Sequence, residues 1–114
     1  MMVNKFFKIL SIEFSDLEDG IETLIGSISE RYRRKEITEY VMKENSTLLR
    51  RELTDMLIIH RKIMEISPDS YQTVEEATAA VIDIIFGFTG IPEAVHTFME
   101  RRVRKVLRYM DEVY

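Results

Sequence analysis

"KEITEYVMKENSTLLRRELTDML" (residues 35–57) is the stretch whose reading decides the fold. Two pairs of acids, Glu36 with Glu39 and Glu52 with Asp55, interrupt an otherwise well-patterned apolar helix surface. Upstream, Leu17, Ile21, Leu24, Ile28 and Tyr32 recur at steps of three and four, the signature of an amphipathic helix. Downstream, Leu49, Leu53, Met56, Leu57, Ile63 and Met64 form a second apolar run. Between them the polar cluster "KENST" (43–47) is the one plausible break. The spacing therefore predicts antiparallel helices over 16–43 and 47–66, folded back at Asn45–Ser46 as an αα-hairpin.

Working outward, Ser15 and Glu18 form a capping box that would open the first of these helices. Before it, Leu10, Ile12 and Phe14 alternate, but a lone strand has nothing to pair with, so this segment reads as a short helix. After "SPDS" (67–70), Thr73 and Glu76 make a second capping box and open a helix over 74–88. Gly90 supplies a stop, and Pro92 suits the first turn of a last helix over 92–112. No linker or repeat divides the chain. The reading is a single all-α domain, 1–114: an antiparallel bundle of four to five helices built around the hairpin.

Composition bounds the function classes. With 114 residues, 46% of them apolar and 32% charged, the chain can bury a real core. A net charge of −4 argues against a dedicated nucleic-acid binder. The absence of cysteine excludes disulfides and thiolate metal sites. In "MMVNKFFKILSIEFSD" Lys8 and Glu13 break the apolar run, so it reads as neither a signal peptide nor a membrane span. The default expectation is a cytoplasmic protein with no membrane partner.

At 100° per residue the first stripe continues in register to Glu36 and Glu39, which stand where core residues belong. On the next helix Glu52 falls inside the arc of Leu48, Met56, Ile59 and Ile63, and Asp55 lies on its edge. The predicted hairpin brings Glu39 opposite Glu52 and Glu36 opposite Asp55. Like charges about 5 Å apart repel by roughly 3 kcal/mol at an effective dielectric near 20. Six such pairs approach ~20 kcal/mol, more than the ~5–15 kcal/mol that holds a domain together. Arginines could relieve the repulsion as a structural ion-pair cluster. A hard divalent cation such as Mg²⁺ would do so most directly.

"EITE" (36–39) followed by "ELTDMLIIHRKI" (52–63) resembles the signature of the all-α nucleoside triphosphate pyrophosphatases, the MazG-like and phosphoribosyl-ATP pyrophosphatase-like group. The resemblance covers about thirty residues and fades beyond Ile66. It implies a MazG-like fold and a Mg²⁺-dependent (or Mn²⁺-dependent) nucleotide pyrophosphohydrolase. Glu36, Glu39, Glu52 and Asp55 would hold the metal, and a metal-activated water would split a nucleoside triphosphate or related nucleotide into monophosphate and pyrophosphate. No residue reads as a selector for the base. The alternative is a non-catalytic helical oligomerisation or interaction module that keeps the fold.

Arg102 occupies a core-facing position among Val95, Val106 and Tyr109, so it needs an anion. An ion pair with an acid is the first reading, and a substrate phosphate the second. Asp83 in "AAVIDIIFGF" (79–88) is equally anomalous on a helix apolar nearly all round; pairing with Arg102 is the first reading, and contact with a ribose hydroxyl the second. His60 reads as a hydrogen-bonded core histidine. Glu93 and His96 mimic half of a carboxylate–histidine metal motif but lack its second copy. "RRVRK" (101–105) is a solvated face, and Gly87 and Gly90 are punctuation. The apolar 79–88 helix together with "FFKIL" (6–10) exceeds what a monomer would cover, so a homodimer or dimer of dimers is expected.

Overall fold

The computed structural model describes residues 2–114 and is all-helical over them. Helix α1 spans Met2–Arg33, α2 Glu39–Met64, α3 Val74–Gly87 and α4 Glu93–Val113, with a single 3₁₀ turn, Pro68–Ser70, between α2 and α3. The all-α bundle expected from the sequence is what is observed.

The first two helix boundaries differ from expectation. No helix begins at Ser15. Val3, Phe6, Phe7, Leu10 and Phe14 are buried at steps of three and four, in phase with Ile21 and Ile25, so one core stripe carries α1 straight through the capping-box sequence. Ile12, which alternation would have turned inward, is 70% exposed.

The hairpin turn lies at 34–38, not at Asn45–Ser46. Lys35 takes the left-handed conformation, φ +62°. Its N–H donates to the Tyr32 carbonyl, and that of Glu36 donates to the Arg31 carbonyl, both at 2.9 Å. These two bonds are the Schellman closure, with lysine at the position glycine usually holds. Thr38 then caps α2, its hydroxyl accepting from the Val41 N–H at 3.2 Å. Residues 43–47 sit inside α2, where only Ser46 is buried.

Helix α1 packs most extensively on α2, α3 on α4, and α4 on α1, which makes two layers of two helices. The molecule measures 54 × 30 × 18 Å, and the short axis is about two helix diameters. At about 1.5 Å per residue α1 runs nearly 50 Å, whereas α3 and α4 reach only about 20 and 30 Å. The second layer therefore covers part of the first. The core joins Phe6, Leu10 and Phe14 of α1 to Met56, Ile59 and Ile63 of α2, Val81 and Ile85 of α3, and Val95, Met99, Val103 and Val106 of α4. From 26 to 51 the only buried residue is Ser46. The distal half of the α1/α2 hairpin is a projecting arm.

Candidate functional site

The relocated turn disperses the four acids. Glu36 stands in the turn, exposed, 3.4 Å from the Arg31 guanidinium. Glu39 is the first residue of α2, also exposed, with Lys43 at 2.8 Å one turn on. The hydrogen bond and charge of Lys43 hold its carboxyl below the ordinary range. Neither occupies the core-facing position expected from the stripe, because the stripe's helix ends at Arg33. Glu52 and Asp55 lie on the same helix as Glu39, about 20 Å further along its axis. Glu52 is buried and Asp55 half-buried, as the apolar arc of α2 requires. Glu52 has no ion pair or side-chain hydrogen bond among the described residues, and burial pushes its carboxyl up.

Within one chain, then, the four carboxylates do not converge, and the repulsion argument for a cation falls with the hairpin register. Among the described residues no three His, Asp or Glu side chains are placed to share a metal ion. A metal held by Glu36, Glu39, Glu52 and Asp55 together does not fit a single protomer.

Arg102 meets its anions on α1. Its Nη1 donates to Glu13 Oε2 and Asp16 Oδ2, both at 2.8 Å, and to the Glu13 carbonyl at 3.4 Å. The Arg102 hydrogen bond and charge lower the Asp16 carboxyl. Lys105 adds a contact of 3.1 Å to Glu13. Asp83 is not the partner. It is exposed, because Val74, Ala77, Thr78, Val81 and Ile85 define the buried face of α3 and Asp83 lies about 180° from it. An apolar composition hid an amphipathic helix.

Two histidines complete the polar interior. His60 Nδ1 is 2.8 Å from Glu18 Oε2, and its Nε2 is 3.1 Å from Ser11 Oγ. Glu18 is buried, so a carboxylate that read as a cap is instead the buried partner of a core histidine. In α1, where the core stripe passes through position 18, an acid with a histidine opposite could have flagged this pair. His96 donates from Nε2 to the Phe88 carbonyl at 2.8 Å and stacks on Phe86, which ties the α3–α4 loop to α4.

The chain matches no known family profile, no curated protein and no solved structure. The surface must speak for itself.

Two features of it are continuous. A groove of about 510 Å³ runs between α1 and the start of α4, floored by Leu17, Ile21, Leu24 and Phe98 and rimmed by Asp16 and Asp19. Beyond Phe98 the second layer stops: the Gly90 carbonyl, in the α3–α4 loop, accepts from Arg51 Nη2 at 3.1 Å. Past that point the arm carries Tyr32, Val41 and Leu48 in the open, Tyr40 at 73% exposure, and Ile28 half-buried. No helix among the described residues is long and apolar enough to cross a membrane.

Proposed function

We propose that this chain is a non-catalytic helical interaction module whose working surface is the α1/α2 arm. One observation carries the reading: from 26 to 51, two helices with apolar side chains along them bury a single residue, Ser46. Helices in proteins draw most of their stability from packing an apolar face, and an isolated helical pair has little of it. Leu24, Tyr32, Val41 and Leu48 are between 37% and 51% exposed. Covering the remainder of each would contribute about 1 kcal/mol per side chain. The arm is thus built to be covered.

The test is hydrogen exchange read residue by residue. Amides of 26–51 should exchange much faster than those of the core turns around Leu10 and Ile59 in dilute protein, and slow when a partner is bound. Arm amides as protected as the core in a proven monomer would end the proposal.

The Mg²⁺-dependent nucleotide pyrophosphohydrolase is a second reading, and one observation favours it. Glu52 is a buried carboxylate without a partner among the described residues, beside Asp55, in the segment that carries the family resemblance. To gather the remaining acids this reading needs a second chain. It expects Mg²⁺ to raise the melting temperature and pyrophosphate to be released from some nucleoside triphosphate. No Mg²⁺ shift and no release across the common triphosphates would dismiss it.

A further inference from the structure

We infer that Ser11 is an activated nucleophile, a site that takes one acyl group per chain from an activated ester with an apolar acyl chain. The site lies in the packed half of α1 and α2, away from the arm, and neither reading depends on the other.

Ser11 and Glu18 lie two turns apart on one face of α1, and His60 of α2 spans the distance between them. His60 Nδ1 stands 2.8 Å from Glu18 Oε2, and Nε2 3.1 Å from Ser11 Oγ. A carboxylate can only accept, so Nδ1 carries the proton, and in the neutral ring Nε2 then presents its lone pair to the serine hydroxyl. The hydroxyl therefore donates to a base that an acid holds in one tautomer, which is the order of groups that activates a serine. Phe14, fully buried, packs edge-on against the imidazole with centroids 5.3 Å apart and fixes the tilt of the ring.

Other helical hydroxyls in this chain behave differently. Those of Thr23 and Thr54 donate to carbonyls four residues back, Asp19 and Arg50, at 3.0 and 2.9 Å. Among the described residues Ser11 makes no such local bond; its partner is 49 positions away. Glu18 is buried, whereas Ser11 and His60 are half-buried, so the acid is shielded and the hydroxyl is reachable.

The surroundings set the chemical class. Leu57 and Met64, one turn to either side of His60 on the solvent side of α2, are 43% and 36% exposed and suit an apolar acyl chain. Ser11 sits inside α1, where backbone N–H groups are spent on the helix ladder, so no backbone pair is free to hold an oxyanion. That restricts the site to esters with a good leaving group and leaves the acyl-serine slow to hydrolyse. In the step itself Ser11 Oγ attacks the acyl carbon while its proton passes to His60 Nε2. The Oγ–C bond forms, the ester C–O bond breaks, and the departing oxygen takes the proton from His60. One alcohol is released, and His60 ends neutral.

The probes are p-nitrophenyl butyrate and an alkyl fluorophosphonate, read by intact mass and peptide mapping. The native protein should gain one adduct, at Ser11, about a hundredfold faster than at Ser15, which is exposed one turn along. The butyrate ester should release one equivalent of nitrophenol. His60→Ala should bring Ser11 down to the rate of Ser15, and free imidazole should raise it again. Glu18→Gln should slow labelling at least about tenfold, with helix content retained by circular dichroism. Should either variant fail to fold, the Ser11 to Ser15 ratio in the native protein still decides.

Ser11 unlabelled, or labelled no faster than Ser15, would overturn the inference and leave the arm reading untouched. Ser11 labelling that persists at full rate in folded His60→Ala would overturn activation by the histidine. Nitrophenol released far beyond one equivalent, and lost in Ser11→Ala, would overturn the single acylation and the non-catalytic reading with it.

Discussion

Replacing Glu52 separates the two functional readings. Its carboxyl is buried, has no partner among the described residues, and is pushed above its ordinary 4.5 by burial alone. The folded state therefore holds the proton more tightly than the unfolded chain. Below about pH 4.5 both states are protonated and Glu52 carries no penalty; as pH rises past that value and through the folded pKa, stability is lost. At neutral pH the side chain destabilises the fold. Glu52→Leu removes that penalty and adds apolar burial next to Met56, for a gain of about 1–3 kcal/mol. In a domain of this size that is roughly 4 °C or more in melting temperature per kcal/mol. Glu52→Gln keeps the shape, so its gain should be smaller and should vanish on the acid side. The assay is thermal melting of the three proteins between pH 4 and 8, with and without Mg²⁺. Destabilisation by both substitutions at pH 7 would refute the reasoning. So would a Mg²⁺ shift in the native protein that Glu52→Gln loses, since that is the signature of a metal ligand.

Lys35→Gly should stabilise the protein by about 0.5–1 kcal/mol, because lysine at φ +62° takes a left-handed conformation that glycine adopts without strain; chemical denaturation of dilute protein measures it. Ile59→Ala, at a fully buried position between the layers, should cost about 2–5 kcal/mol in the same assay. Asp83→Ala should change stability by no more than about 0.5 kcal/mol, whereas His60→Ala should cost about 1–3 kcal/mol by leaving Glu18 buried without its partner.

The helical class and the two later helices were legible in local chemistry. Thr73 caps α3 by accepting from the Glu76 N–H at 3.1 Å, and Gly90 takes φ +72° before Pro92, which caps α4. The apolar positions Val95, Met99, Val103, Val106 and Met110 of α4 are all buried as their spacing required. Burial of Glu52 followed from its neighbours on α2 in the same way. These features depend on residues within a turn or two of each other, which is the range over which sequence periodicity carries information.

The position of the hairpin turn was decided by tertiary structure. Neither the expected break nor the observed one contains glycine or proline: "KENST" looked like a loop and is a solvated helix face, while "RKEIT" (34–38) looked like helix and is the turn. A lysine in the left-handed conformation leaves no mark in composition. It is set where α1 and α2 must part for the buried faces of both helices to meet, Phe14 and Ile21 on one and Met56 and Ile59 on the other. That single shift of register, from 45 to 35, moved Glu36 and Glu39 from the expected interior to the surface. Pair choices were equally non-local: Arg102 found Glu13 and Asp16 across nearly the whole chain, and Glu18 found His60. A periodic pattern states which face of a helix is buried, but only the packed layers state which charge lies opposite and where the chain turns back.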